Sequence, residues 1–163
     1  ADRPLVDQIV GGPLATHARH LRVEVTESLE LQENSEAEAN LERLRNIGVR
    51  LVIDDFGAGF SNFTRLERLQ PSMLKVDRSL VRRAGSEQEG GVAFLTAATS
   101  VAASLNCDVV AEGVETAAEL RTVIELGADL LQGYFLARPA IVPGAIAPEA
   151  AGIIQELQRR KKD

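Results

Sequence analysis

The sequence predicts an α/β fold in which about five parallel strands form an incomplete (β/α) barrel. Short apolar runs alternate with segments of helical periodicity, which is typical of a parallel sheet covered by helices. Each apolar run ends on polar or charged residues, as strands do at the mouth of a barrel. The chain has 163 residues, whereas a complete barrel takes about 250. We therefore expect one domain that contains only part of the barrel.

The first strand and the helix after it show how the elements are assigned. Val23 and Val25 alternate with polar residues, so they share one face of a strand. Ser35 and Glu38 form a capping-box pattern at the start of a helix, which Gly48 ends. The predicted strands are 21–26, 49–54, 73–77, 108–112 and 129–135; the predicted helices are 35–46, 61–69, 91–105, 116–127 and 148–160, after a helical turn at 4–10.

The predicted helix 91–105 is rich in small residues. Apolar side chains recur in it at intervals of three or four residues, which indicates one buried stripe. The residues expected on that stripe are Val92, Leu95, Ala98, Val101 and Leu105.

Composition excludes several classes of function. The net charge of −6 argues against a nucleic-acid polymer as partner, although a metal ion would allow an acidic chain to bind a phosphorylated ligand. Cys107 is the only cysteine, which favours a reducing, cytoplasmic location. The sequence has no apolar run of about 18 residues, so we expect no membrane contact from this segment. It begins at Ala1 rather than Met, which suggests a piece of a longer protein.

Two adjacent aspartates, Asp54 and Asp55, end the second predicted strand and precede a glycine-containing loop. Taken alone, this pattern could be a strand followed by a polar turn. Other predicted strands also end on acids, among them Glu24 and Glu112. Because the carboxyl ends of parallel strands meet at one mouth, we expect these four carboxylates to lie together.

Four carboxylates in one place require a cation between them. Ligands that are all oxygen favour a hard divalent ion, Mg²⁺ or Mn²⁺. Adjacent Asp54 and Asp55 could each reach a metal, which is the two-metal arrangement of phosphoester hydrolysis. Lys75 would then contact a phosphate oxygen or orient the attacking water. The alternative for Lys75 is a surface ion pair with Asp77.

Five short motifs, taken in order, resemble those of the EAL domain, a family of bacterial cyclic di-GMP phosphodiesterases built on a modified TIM barrel. The resemblance covers residues 21–139 and leaves 140–163 as a C-terminal loop and helix of the same partial domain, 1–163. The motifs are EVTES at 24–28, DDFGAGFS at 54–61, LKVD at 74–77, AEGVET at 111–116 and QGY at 132–134.

The resemblance implies a role for each catalytic residue. Glu24 and Asp54 would ligate one metal ion, and Asp55 would hold a second. Lys75 would contact the water and the phosphate, and Glu112 would be the general base.

It also implies residues that bind the substrate and shape the site. Glu115 and Gln132 would line the pocket for cyclic di-GMP. Glu27 would brace the loop that contains Gly57 and Gly59.

The sequence departs from the family pattern in two places. The loop at 57–62 reads GAGFSN, where the family usually has GTGYSS, so the loop loses hydroxyl groups that are implied to order the site and the dimer contact. The Glu-Ala-Leu motif and a strand with an Asn metal ligand belong upstream of Ala1 in the family pattern. We therefore expect the two-metal site to be incomplete in this chain.

Two functions of different class follow. The first is hydrolysis of cyclic di-GMP to linear pGpG by a parent domain, with a sensor or GGDEF-type domain upstream. The second is an inactive module for cyclic di-GMP binding, dimerisation or regulation. A class I aldolase using Lys75 fits poorly with so many acids, and a protein kinase is excluded because no His-Arg-Asp loop accompanies Asp55-Phe56-Gly57. Two unpaired sheet edges predict a homo-oligomer. The metal ligands that the family pattern places upstream of Ala1 are absent, so we expect the isolated chain to be inactive.

Overall fold

The computed structural model describes residues 3–26, 35–58, 63–86, 90–142 and 144–160. Within these residues, five parallel strands form one sheet in sequential order, β1-β2-β3-β4-β5. This confirms the predicted α/β class with a parallel sheet. The strands are β1 (Arg22–Thr26), β2 (Arg50–Phe56), β3 (Met73–Val76), β4 (Asp108–Ala111) and β5 (Leu130–Leu131).

Helices connect the strands and cover one face of the sheet. In the described part of the chain, none of them has the length and apolar character needed to cross a bilayer. The helices are α1 (Arg3–Gly11), a 3₁₀ helix (Pro13–His20), α2 (Glu36–Asn46), α3 (Phe63–Leu69), α4 (Arg78–Gly85), α5 (Gly91–Ser104), α6 (Ala117–Glu125) and α7 (Pro148–Arg160).

The two faces of the sheet differ in chemistry. On the outer face, which the helices cover, Val25, Ile53, Leu74 and Val109 lie in register across four strands. All four belong to the main core, which also contains Leu95 of α5 and Leu120 of α6. On the opposite, inner face, the register aligns Glu24, Val52, Met73 and Asp108. Apolar burial therefore fixes the outer face, while the inner face carries charged residues beside apolar ones such as the buried Val52.

An irregularity near the end of β2 changes the direction of its side chains. Ile53 pairs with Leu74 and Phe56 pairs with Val76, so two residues of β2 lie opposite the single Lys75 of β3. Those two residues are the adjacent aspartates, which therefore form a β-bulge. Beyond the bulge, Phe56 returns to the outer face and is buried in the main core.

Residues 78–85 were not among the predicted helices, yet α4 occupies them. Asp77 caps this helix, because its side-chain Oδ1 accepts a hydrogen bond from the backbone N–H of Ser79 at 2.8 Å. Leu80, Val81 and Ala84 supply its buried side. A short helix with an Asp cap and this apolar spacing directly after a strand is a detectable signal.

Two further expectations are wrong in detail. Strand β5 is two residues long rather than covering 129–135, because the chain turns where Gly133 packs against the backbone of Val114.

Val92 of α5 is exposed, although it was expected on the buried stripe of that helix. The contact with α4 is made instead by Gly91, where a Cβ would lie 2.5 Å from the Arg83 carbonyl.

Gly133 gives a direct test of this close packing. Adding a Cβ at Gly133 would place it 2.1 Å from Val114 O and 2.3 Å from Val114 N, so both segments must shift. We expect Gly133→Ala to lower the free energy of unfolding by about 1–3 kcal/mol in urea titrations.

The matched control is Gly152→Ala in α7, where a Cβ would meet nothing within 4 Å. This change should raise the free energy of unfolding by about 0.5–1 kcal/mol, because alanine favours a helix interior over glycine. Equal effects of the two substitutions would contradict the packing described for Gly133.

Candidate active site

Lys75 lies at the centre of the candidate site, on the inner face at the carboxyl edge of the sheet. Its Nζ is 2.7 Å from Asp54 Oδ1, 3.0 Å from Glu112 Oε1 and 3.4 Å from Glu24 Oε2. These acids come from the two strands before β3 and from the residue that follows β4. We call Glu24, Asp54, Asp55 and Glu112 the carboxylate cluster. The parallel register of four strands thus brings distant acids to one ammonium group.

The electrostatics of Lys75 follow from these neighbours. Partial burial by itself would lower the pKa of Lys75, but hydrogen bonding and attraction to Asp54 and Glu112 outweigh it and raise the pKa above its ordinary value. Lys75 is therefore protonated at neutral pH. A Schiff-base lysine needs a lowered pKa to act as a nucleophile, so this environment disfavours the aldolase alternative.

The surface-pair alternative for Lys75 is also disfavoured by the geometry. The Asp77 side chain accepts the hydrogen bond that caps α4, while Lys75 pairs with three acids from other strands. The side chain of Lys75 is only 16% exposed, unlike that of a solvated surface lysine.

Within the cluster, Asp54, Asp55 and Glu112 each offer a carboxylate oxygen, and these oxygens lie within 4.8 Å of one another. Asp54 Oδ1 is buried, and the partner that the described residues give it is the ammonium group of Lys75 at 2.7 Å. One ammonium group leaves the cluster with excess negative charge. An all-oxygen donor set of this kind fits a hard divalent cation. Glu24 contacts Lys75 and is not one of the three converging groups.

The bulge explains how both aspartates reach this place. Neighbouring residues of a regular strand point to opposite faces, which would separate Asp54 from Asp55. Asp55 instead has a φ of 57°, in the left-handed region that aspartate tolerates better than most residues. Of the predicted loop residues, Gly57 has a φ of 94°, and its missing Cβ leaves room for Leu80. Glu27 and Gly59 lie outside the described residues.

A cleft of about 380 Å³ adjoins the cluster and contains both predicted pocket residues, Glu115 and Gln132. Three further side chains in its wall were not predicted to bind ligand. Arg138 lies with its guanidinium carbon 5.0 Å from the ring centroid of Tyr134, which is 57% exposed. Arg78, the first residue of α4, completes the set. The signals available in the sequence were Arg78, directly after the LKVD motif, and Tyr134, the last residue of the QGY motif.

Backbone hydrogen bonds hold the segment that connects the cluster to the cleft. The N–H of Glu112 donates to Val76 O at 3.1 Å, and that of Val114 donates to Gln132 O at 3.0 Å. The N–H of Glu115 donates to Glu119 Oε2 at 2.7 Å, which is part of the capping box of α6. Residues 112–115 are therefore fixed at both ends.

Comparison with known families agrees with this geometry. The sequence model of the EAL domain matches residues 6–139. The chain belongs to the EAL domain family. That match includes every motif on which the resemblance was based.

Curated EAL relatives are much longer than this chain. The chain is 42% identical over 119 residues to the oxygen sensor protein DosP of Escherichia coli, covering 73% of this chain and 15% of that protein. It is 39% identical over 120 residues to MucR of Pseudomonas aeruginosa, a bifunctional diguanylate cyclase/cyclic di-GMP phosphodiesterase, covering 74% of this chain and 17% of MucR.

Solved structures of EAL proteins share the fold. The PaMucR phosphodiesterase in complex with c-di-GMP has a TM-score of 0.74 and 37% identity, covering 85% of this chain and 57% of that one. The calcium and cyclic di-GMP complex of Klebsiella pneumoniae BlrP1 has a TM-score of 0.75 and 34% identity, covering 86% and 36%. BlrP1 is also known as a manganese and cyclic di-GMP complex.

Replacing Lys75 tests the electrostatic balance of the EAL site. In Lys75→Met, the carboxylate cluster loses its internal cation, so the free energy of unfolding should fall by about 1–3 kcal/mol. Mn²⁺ should then raise the melting temperature of the variant more than that of the wild type, because a divalent ion can supply the missing charge.

The control is Arg43→Met, which removes one partner of the exposed Arg43–Asp7 pair, 2.7 Å long. Arg43→Met should lower the free energy of unfolding by at most about 1 kcal/mol and should keep the wild-type response of the melting temperature to Mn²⁺. If Lys75→Met behaves like Arg43→Met in both measurements, the cluster is an ordinary solvated surface.

Proposed function

We propose that this chain is the C-terminal part of an EAL-type phosphodiesterase domain that hydrolyses cyclic di-GMP to linear pGpG with the help of a divalent metal ion. The observation that supports this most is the carboxylate cluster around Lys75, placed beside a cleft large enough for part of a nucleotide. The curated name of MucR and the ligands of PaMucR and BlrP1 favour the same substrate.

The metal ion would be Mg²⁺ or Mn²⁺, held by Glu24 and Asp54, and Asp55 would hold a second ion. It would polarise the phosphate and lower the pKa of a bound water. The all-oxygen character of the cluster supports a hard ion.

The chain's own residues would accept the proton of the attacking water and stabilise the negative charge on the phosphate. Water attacks phosphorus, the bond from phosphorus to the ribose 3′ oxygen breaks, and Glu112 accepts the water proton. The leaving oxygen takes up a proton and becomes the 3′ hydroxyl of pGpG. Lys75, 3.0 Å from Glu112, stays protonated and stabilises the negative charge that grows on the phosphate oxygens.

The cleft would hold the part of the nucleotide that does not react. Glu115 and Gln132 can accept and donate hydrogen bonds to a guanine edge. Tyr134 offers an exposed ring on which a base can stack. Arg138, beside that ring, supplies a positive charge for a phosphate.

A second candidate is a binding or dimerisation module without turnover. The position of Glu24 favours it, because this side chain is 52% exposed and stands outside the three converging oxygens. A site with fewer protein ligands would bind its ion more weakly. Under either function, we propose a cytoplasmic setting and a sensor or GGDEF-type partner domain, in line with the bifunctional name of MucR.

Hydrolysis by the wild type separates the two candidates, and substitution of Asp54 tests the metal site of the first. In the natural gene product, Asp54→Ala should lower the rate of cyclic di-GMP hydrolysis by about 100-fold or more, because a ligand is lost from the metal site. The assay follows pGpG formation with Mg²⁺ or Mn²⁺, and a chelator serves as the metal-free control. Undiminished hydrolysis in Asp54→Ala would exclude the metal role of this residue.

Self-association of the 163-residue chain is a separate prediction. In the described residues, β1 and β5 each pair with one neighbouring strand, so each presents an edge with unpaired backbone groups. We expect sedimentation equilibrium to show a dimer or larger species, with negligible hydrolysis. A monomer that hydrolyses cyclic di-GMP would contradict both the predicted self-association and the predicted lack of activity.

A further inference from the structure

Two ion pairs join residues 75–78, at the end of β3 and the start of α4, to residues 112–115, which follow β4. Lys75 Nζ is 3.0 Å from Glu112 Oε1, and Arg78 Nη1 is 3.3 Å from Glu115 Oε1. In each segment the paired residues are three positions apart. The first pair lies in the carboxylate cluster and the second in the cleft. One pair of segments therefore carries charged contacts in both parts of the site.

Arg78 contacts the second segment with more than its charge. Gly113 has a φ of 65°, and a Cβ there would lie 2.6 Å from Arg78 Cβ and Cγ and 2.9 Å from Cδ. The aliphatic part of Arg78 therefore packs directly on the Gly113 backbone. The backbone of Arg78 is fixed as well, because Arg78 is the first residue of α4 and Asp77 caps that helix.

The pair between Arg78 and Glu115 contributes little stability, since the two side chains are 57% and 40% exposed. Its geometric effect is larger. The Glu115 backbone N–H is held by Glu119 at the start of α6, and its carboxylate is held by Arg78 at the start of α4. Glu115 is thus fixed between two helix starts while it faces the cleft.

We propose that Arg78 is a positioning residue that holds the Glu115 carboxylate in place for the ligand, and so sets the affinity for cyclic di-GMP rather than the rate of its hydrolysis. This inference rests on the proposed function. Preorganising Glu115 saves the cost of ordering it when ligand binds. Among the described residues, the ion pair of Arg78 is made with Glu115 and not with the carboxylate cluster, so we expect kcat to stay unchanged.

A double-mutant cycle in the natural gene product tests this role. Arg78→Met keeps the aliphatic contact with Gly113 and removes the charge, and Glu115→Gln removes the partner. The readouts are kcat and KM with Mn²⁺, and the Kd for cyclic di-GMP in Ca²⁺. We expect Arg78→Met to raise KM and Kd about tenfold with kcat within about twofold, which corresponds to the cost of ordering one side chain when the ligand binds.

Three other variants show whether the affinity change of Arg78→Met acts through Glu115. The double variant should bind no more weakly than Glu115→Gln, because Arg78 acts through Glu115. Arg78→Lys should restore part of the affinity. Arg82→Ala, one turn further along α4 and exposed, should match the wild type.

Three results would overturn the proposal. Unchanged KM and Kd in Arg78→Met would show that the pair is an ordinary surface contact. Losses that multiply in the double variant would show that Arg78 binds the ligand itself. A fall in kcat alone would place Arg78 in the chemistry. If the wild type neither binds nor hydrolyses cyclic di-GMP, the proposed function fails, and this inference fails with it.

Discussion

The ammonium group of Lys75 is the interaction on which the candidate site depends. Acids from β1, from β2 and from the residue after β4 lie within 3.4 Å of it, and without a cation their mutual repulsion would push these strands apart. The sheet supplies the positions, because parallel register places residues of neighbouring strands side by side. The main core supplies the rigidity, since the outer-face residues beside these acids are buried. Folding therefore assembles a site that is negative and ready for a cation.

The candidate site at the carboxyl edge of the sheet has two parts, the carboxylate cluster and the cleft. The cluster around Lys75 has the charge to hold a metal ion, while the cleft has the aromatic and cationic groups to hold a nucleotide. The segment after β4 belongs to both parts, because it contributes Glu112 to the cluster and Glu115 to the cleft. A shift of this segment would move both side chains together, so the close backbone packing at Gly113 and Gly133 helps to fix both parts.

Much of this arrangement could be predicted from the sequence, because apolar runs fix the outer face and place acids of three runs where the carboxyl ends of parallel strands meet at one edge. The bulge could not be derived from alternation, although one signal was present: Phe56 breaks the odd-numbered pattern of Leu51 and Ile53. Arg78 was missed because its contact with Glu115 joins residues that are close only after β3 and β4 pair. Local patterns contain no information on such pairings.

The most direct test of the central claim is to locate manganese by anomalous diffraction in crystals of the natural gene product with Mn²⁺ and cyclic di-GMP. Carboxylate oxygens of Asp54, Asp55 and Glu112 already converge in this chain, so we expect an anomalous peak coordinated by the cluster, with the nucleotide extending into the cleft. Manganese bound elsewhere, with no peak at the cluster and the nucleotide away from Lys75, would contradict the assignment.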